Sequence, residues 1–275
     1  MFHKNATKGK IIGVGEIMDV LHGLFDLTGR VALITGGSRG LGLQIAEGLG
    51  EFGARVVLAA RKADELAAAV AHLAGVGIEA VAIPADLRTP AAAAGLAEAA
   101  LAACGRIDIL VNNAGATWGA AAVDHTPEQW RRVMDLNVDA PFYLSQAVAK
   151  RWMIPHNGGH IVTIASIAGL RAHARPPGTV AYNTSKAAVI HMTRSLAVEW
   201  GRFGITVNAI APGWFPSRMT RATLAEVGDD LAASAPLGRL GGAHDLKGAA
   251  LLFASDAGAH ITGQVLAVDG GISVV

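Results

Sequence analysis

Tyr182 and Lys186 stand four residues apart in "AYNTSKAAVIHMTRSLAVEW". In a helix, that spacing puts both side chains on one face. A free tyrosine titrates near pH ~10 and exchanges protons poorly at neutrality. A neighbouring ammonium favours the phenolate, and each unit of pKa shift is worth about 1.4 kcal/mol. Alone, such a pair is common by chance and reads as a surface contact. Two further polar residues stand at the ends or turns of apolar segments: Asn137 in "MDLNVDAPF" and Ser166 after "HIVTIA". Taken singly, Asn137 is a helix-capping amide and Ser166 a strand-end hydroxyl.

A second group lies in "TGGSRGLG", Thr35 to Gly42, with glycines at 36, 40 and 42. Glycine spacing is a weak signal by itself. Here the apolar run "RVALIT" precedes it and the helical "LGLQIAEGLGEFG" follows. A helix N-terminus offers free N–H groups and a positive dipole end, which suits a pyrophosphate. The competing reading is a tight turn that serves packing. Arg39 sits inside this loop, and Arg61 follows the second apolar run in "AARKADEL". In a dinucleotide fold an acidic residue directly after that strand accepts from a ribose 2′-OH, whereas an arginine meets a 2′-phosphate. Two guanidinium groups around one dianion make charge-assisted bonds, so NADP(H) is the expected cofactor. Asp86, in "PADL", either accepts from the adenine amino group or shapes a turn.

Seven apolar runs are the elements that must position these groups: 30–35, 54–60, 79–85, 107–113, 160–166, 205–211 and 264–269. They are continuous rather than alternating, as in strands covered on both faces. Segments of helical spacing with terminal glycines lie between them. Alternating β and α predicts an α/β fold, a doubly wound seven-stranded parallel sheet in one domain, with ligands at the C-terminal strand ends. The glycine loop, Arg61, Asp86 and Ser166 fall at such ends, and Asn137, Tyr182 and Lys186 on helices.

The chain has 275 residues, 52% hydrophobic and 16% charged, with a net charge of +1. No global basic field argues for nucleic acid. The single cysteine, Cys104, cannot form an internal disulfide and fits a reducing, cytoplasmic compartment. No His or second Cys stands near it, so no metal site is expected. Residues 1–23 mix glycines and charges without a signal-peptide or membrane-length apolar stretch, and read as an N-terminal extension or an upstream start, since Met18 also offers one. The catalytic domain is expected over 24–275.

Together and in order, the glycine loop, "NNAG" (112–115), Asn137, Ser166, Tyr182, Lys186 and "PGWFPS" (212–217) resemble the short-chain dehydrogenase/reductase family. The resemblance covers about nine-tenths of the chain. It implies that Tyr182 exchanges a proton with the carbonyl or alcohol oxygen, and that Ser166 hydrogen-bonds that oxygen. Lys186 would lower the Tyr182 pKa and bind the nicotinamide ribose, and Asn137 would hold a water in a proton relay. Gly36, Ser38, Arg39, Gly40, Leu41 and Gly42, with Arg61, Asp86, Leu87, Asn113, Ala114 and Gly115, would follow the cofactor. Pro212, Gly213, Phe215 and Ser217 would complete the nicotinamide end. The resemblance also implies a homotetramer. One departure is the interval from Ser166 to Tyr182, 16 residues, longer than the family's usual one through "RAHARPPGTV".

The stretch around 214–240 is the expected substrate lid. Trp118, Trp214, Phe215 and Met219 either line an apolar cleft or pack. Arg171, His173, Arg175, Arg218 and Arg221 are either a basic rim or solvated loop charges. The substrate is a small carbonyl or alcohol, possibly thioester-linked. Within the family, the motifs look most like bacterial 3-oxoacyl thioester reductases, with gluconate 5-dehydrogenases second. A cofactor-binding scaffold without turnover would have no need of both Tyr182 and Lys186.

Overall fold

The computed structural model describes residues 14–172 and 178–275, with side chains from Val20 onward inside the first helix. All seven expected strands form: β1 (Val31–Thr35), β2 (Arg55–Ala60), β3 (Ala80–Pro84), β4 (Ile109–Asn112), β5 (Gly159–Ile164), β6 (Ile205–Pro212) and β7 (Val265–Val268). They make one parallel sheet in the order β3-β2-β1-β4-β5-β6-β7. The order reverses between β1 and β4, which opens a crevice at their C-terminal ends.

Helices cover both faces. On one, α2 (Gly40–Glu51), α3 (Ala63–Gly75) and α9 (Lys247–Ala254) seal Ile34, Val56, Leu58 and Val111. On the other, α4 (Pro90–Cys104), α6 (Ala140–Val148) and α7 (Val180–Trp200) seal Leu33, Val57, Leu110 and Val207. Helix α1 (Val14–Phe25) runs across the boundary expected at residue 23. Helix α5 (Pro127–Met134) begins with a capping box of Thr126 and Gln129. It continues into α6 through a π-helical turn at Asp135–Asp139.

Every residue of β1, β4, β5 and β6 is buried, and β2 is buried except at its two ends. Strands β3 and β7 are only partly covered. The expected burial on both faces fails there because each is an edge strand with a neighbour on one side. Helix α8 (Arg221–Ser234) follows β6 and lines a groove together with Arg39 and Gly40.

Candidate active site

The loop after β1 is built on glycine. Gly36 has φ +64 and Gly40 φ +56, both in the left-handed region. A Cβ on Gly36 would stand 2.8 Å from Asn113 Nδ2, whereas one on Gly40 would meet nothing within 4 Å. Gly40 therefore opens the α2 N-terminus to the crevice. The helix's N-cap residue, Arg39, makes no side-chain cap bond, so the first N–H groups of α2 keep their donors for a ligand. Gly42 does not face the crevice. A Cβ there would lie 2.4 Å from Gly36 O, so Gly42 lets α2 pack on the loop.

The crevice is a cleft of about 610 Å³. Gly36, Ser38, Arg39, Gly40, Leu41, Arg61, Asp86 and Leu87 line one end, with Asn113, Ala114 and Gly115 at its middle. Ser166, Tyr182, Lys186, Pro212, Gly213, Phe215 and Ser217 line the other end. Asn113 spends its side chain on the scaffold: Nδ2 donates to Thr35 O (2.8 Å) and Gly36 O (3.2 Å). The Thr35 hydroxyl in turn accepts from the backbone of Asn113 and Ala114, so β4 and the glycine loop are tied together.

At the inner end, Tyr182 and Lys186 leave the first turns of α7. Lys186 is 5% exposed, and its Nζ donates to Ile164 O at 2.7 Å. Burial pulls its pKa from 10.5 to about 8. The Nζ stands 5.7 Å from the centre of the Tyr182 ring. The shift of the Tyr182 phenol comes from its own burial rather than from Lys186. Burial raises the phenol above its usual 10, and the Ser166 hydroxyl acts weakly against that rise. Ser166 Oγ also accepts from Ala168 N at 3.1 Å, which fixes the hydroxyl at the strand end.

Asn137 lies behind the cleft, 2% exposed, on the π-helical turn. Its Oδ1 accepts from Ala116 N (2.8 Å), and its Nδ2 donates to Ala116 O (2.9 Å) and Ser185 Oγ (2.9 Å). Ser185 Oγ donates to Tyr182 O at 2.7 Å. The amide thus has its donors and acceptor engaged, and it clamps the loop after β4 to the helix that carries Tyr182.

At the adenosine end the sequence reading missed Glu65. Arg39 Nη1 reaches Glu65 Oε2 at 2.5 Å, Lys62 Nζ reaches Oε1 at 3.1 Å, and Arg218 Nη1 stands 3.7 Å from Oε1. The Lys62 hydrogen bond and the nearby Arg39 charge hold the Glu65 carboxyl below its usual pKa. No acidic residue directly follows β2, but one turn of α3 brings this one back. The signal was Lys62 and Glu65 three apart in "RKADEL". Asp86 accepts two bonds from Arg88 Nε and one from Nη2, which favours its reading as a turn residue.

The apolar candidates separate. Phe215 is 3% exposed and its ring fills the space over Gly241, so it packs. Trp214 packs beside Ile167, Ala235 and Ile272. Trp118 lies under the Arg132 guanidinium, 5.1 Å from the ring centre. Met219 is 44% exposed and lines the cleft. Of the basic rim, Arg171 is bonded to Val275 O, Arg218 joins Glu65, and Arg221 lines a groove beside the cleft. His173 and Arg175 lie outside the described residues. No group of three or more metal-ligating side chains occurs among the described residues.

The family described as enoyl-(acyl carrier protein) reductase, a group of short-chain dehydrogenases, matches residues 36–273. The chain belongs to the short-chain dehydrogenase/reductase family. It is an oxidoreductase. It is 43% identical over 256 residues to a rhamnolipids biosynthesis 3-oxoacyl-[acyl-carrier-protein] reductase of Pseudomonas aeruginosa, covering 91% of this chain and 99% of that one. It is 41% identical over 253 residues to gluconate 5-dehydrogenase of Gluconobacter oxydans, covering 91% and 97%. The structure of a gluconate 5-dehydrogenase from Burkholderia cenocepacia, solved with NADP and tartrate, superposes with a TM-score of 0.87 at 36% identity, over 93% and 99% of the two chains.

Proposed function

We propose that this chain is an NADP(H)-dependent carbonyl reductase whose substrate is a 3-oxoacyl thioester. The observation that carries the reaction class is the convergence of Ser166, Tyr182 and Lys186 on the lining at the inner end of the cleft, with Lys186 buried and its Nζ bonded to Ile164 O. The residues suit the cofactor: an uncapped helix N-terminus for the pyrophosphate, and Arg39 and Arg61 for the 2′-phosphate. NADPH, when bound, supplies the hydride. The Tyr182 hydroxyl donates its proton to the carbonyl oxygen, or takes it back in oxidation. Ser166 hydrogen-bonds the same oxygen and stabilises the charge that develops there. Lys186 supplies a positive charge next to Tyr182 and a donor for the nicotinamide ribose. Asn137, its amide engaged, holds α7 against the loop after β4 and leaves any relay water to backbone groups.

The thioester reading rests on the 43% identical relative of nearly equal length and on the exposed Met219 beside Arg218. Its rival is a sugar acid, favoured by the 41% identical gluconate 5-dehydrogenase. A panel of carbonyl compounds with NADPH, followed by absorbance, separates them. Turnover of a 3-oxoacyl thioester and not of 5-ketogluconate supports the first; the opposite pattern overturns it.

The domain is read as 24–275, with the stretch around 214–240 as substrate lid. The assembly is read as a homotetramer, with the helices around 127–152 and 182–203 pairing across one two-fold axis and "QVLAVDGG" across another. Leu266 on edge strand β7 and Val198 on α7 are 38% and 87% exposed, which suits both contacts. A monomeric mass by light scattering at micromolar concentration would refute it. The lone, half-buried Cys104 is consistent with a cytoplasmic setting.

A further inference from the structure

We propose that Glu65 is an internal counter-anion that competes with the cofactor's 2′-phosphate, and that Arg218 is a third cation for that phosphate. The inference rests on the NADP(H) reading of the cleft and concerns how the choice between the two nicotinamide cofactors is set.

Three cations from three separate elements converge on one carboxylate. Arg39 comes from the glycine loop, Lys62 from the turn after β2, and Arg218 from the segment after β6. The lining of the cleft includes all four residues. Arg39 Nη1 donates to Glu65 Oε2 at 2.5 Å, and the same N–H cannot also donate to a phosphate. A 2′-phosphate that reaches the other N–H groups of Arg39 therefore meets the Glu65 carboxylate beside it and competes with it for the same guanidinium. Three cations against one carboxylate leave a positive surplus, which a phosphate dianion neutralises and a free 2′-hydroxyl does not. Glu65 acts on both cofactors. Toward NADPH it repels the phosphate and withholds donors. Toward NADH it neutralises part of the cationic charge and offers an acceptor to the 2′-hydroxyl. Arg218 makes the loosest of the three contacts, 3.7 Å, and comes from the expected lid. A phosphate bound between Arg39 and Arg218 would tie that segment to the glycine loop.

The test is binding, not turnover. 2′,5′-ADP and 5′-AMP are titrated into the full chain by calorimetry at fixed salt, and the ratio of their Kd values is read. Wild type should bind 2′,5′-ADP more tightly. Equal binding by wild type would overturn the phosphate site itself, and this inference with it. Given that preference, Glu65→Gln should tighten 2′,5′-ADP about tenfold and leave 5′-AMP unchanged or weaker. Arg218→Ala should weaken 2′,5′-ADP roughly three- to tenfold without touching 5′-AMP. A ratio unmoved or reduced in Glu65→Gln, or unmoved in Arg218→Ala, overturns the inference while the NADP(H) reading stands. All the residues concerned lie at the mouth of the cleft, away from the core.

Discussion

The two ends of the cleft handle charge in opposite ways. At the nicotinamide end, Lys186 and Tyr182 are enclosed, and the lysine's donor goes to a backbone carbonyl. Burial dominates both pKa shifts there: it lowers the lysine and raises the tyrosine. At the adenosine end, Arg39, Lys62 and Arg218 are 48%, 56% and 61% exposed, and they share one carboxylate. Water and salt screen those charges. The inner site is thus set by packing and resists ionic strength. The outer one is set by a balance of screened charges, which single substitutions and salt can tip. An enzyme arranged this way can change cofactor preference at its surface without disturbing its proton chemistry.

The sharpest way to break the comparison is Tyr182→Phe. The ring and its packing remain, and only the hydroxyl is lost. Turnover should fall by about 10²- to 10⁴-fold, the range for a lost acid–base group. Affinity for NADPH, measured by nicotinamide fluorescence, should change by less than about threefold, because the outer cluster is untouched. Near-normal turnover would remove Tyr182 from the chemistry.

A buried group far from the cleft tests whether burial alone shifts a pKa as the inner site implies. His160 is the second residue of β5, at the opposite end of the sheet, and is 6% exposed. Its Nδ1 lies 2.9 Å from Thr206 Oγ1, with Arg30, Asp256 and Asp108 nearby. Burial first, and Arg30 second, bring its pKa from 6.5 to about 4. The folded pKa is depressed, so the unfolded chain binds the proton more readily. Stability from the neutral ring is full above pH ~6.5 and is lost as pH falls toward 4. That loss amounts to about 3 kcal/mol. Denaturant unfolding at several pH values, for wild type and His160→Asn, should show a shallower acid loss in the variant. Parallel curves would mean that His160 titrates normally.

Much of this architecture was legible in the sequence, and what was not follows one pattern. The strands were readable because buried parallel strands are uninterrupted apolar runs, as in "RVVLAA" of β2. The glycine loop was readable because a bare helix N-terminus needs glycine at fixed places. Side-chain partners were not. Glu65 sits four residues past Arg61, and only the rotation of α3's first turn brings it back over the strand end. Asn137 carries no local sign that its amide will reach Ala116 and Ser185, 21 and 48 residues away. Phe215 lines the cleft as its position suggests, but nothing local shows that its ring will also pack onto Gly241. Residue type and spacing report the local backbone, whereas these contacts depend on how distant elements are stacked.

The mildest perturbation sharpens the comparison most, because it acts on the outer end alone. Arg39→Ala removes one exposed guanidinium and leaves Glu65 with Lys62 and Arg218. A charge-assisted bond at such a site contributes on the order of 1.5 kcal/mol, about tenfold in NADPH affinity. Part of that is offset, because the wild-type arginine is already partly neutralised by Glu65. The expected net loss is therefore roughly three- to tenfold for NADPH, with NADH nearly unaffected. Arg61→Asp goes further, since it sets an anion against the phosphate, and should reverse the preference. Salt supplies the control. The Debye length is about 10 Å at 0.1 M and about 3 Å at 1 M. Raising salt should erode the wild-type preference for NADPH and have little effect on the preference of Arg39→Ala. Turnover at saturating cofactor should stay level in both, since the buried Tyr182 and Lys186 are shielded from ions. The measurements are kcat/KM for both cofactors and kcat across a salt series. A kcat that tracks salt as steeply as the preference does would mean that the two ends are electrostatically one site.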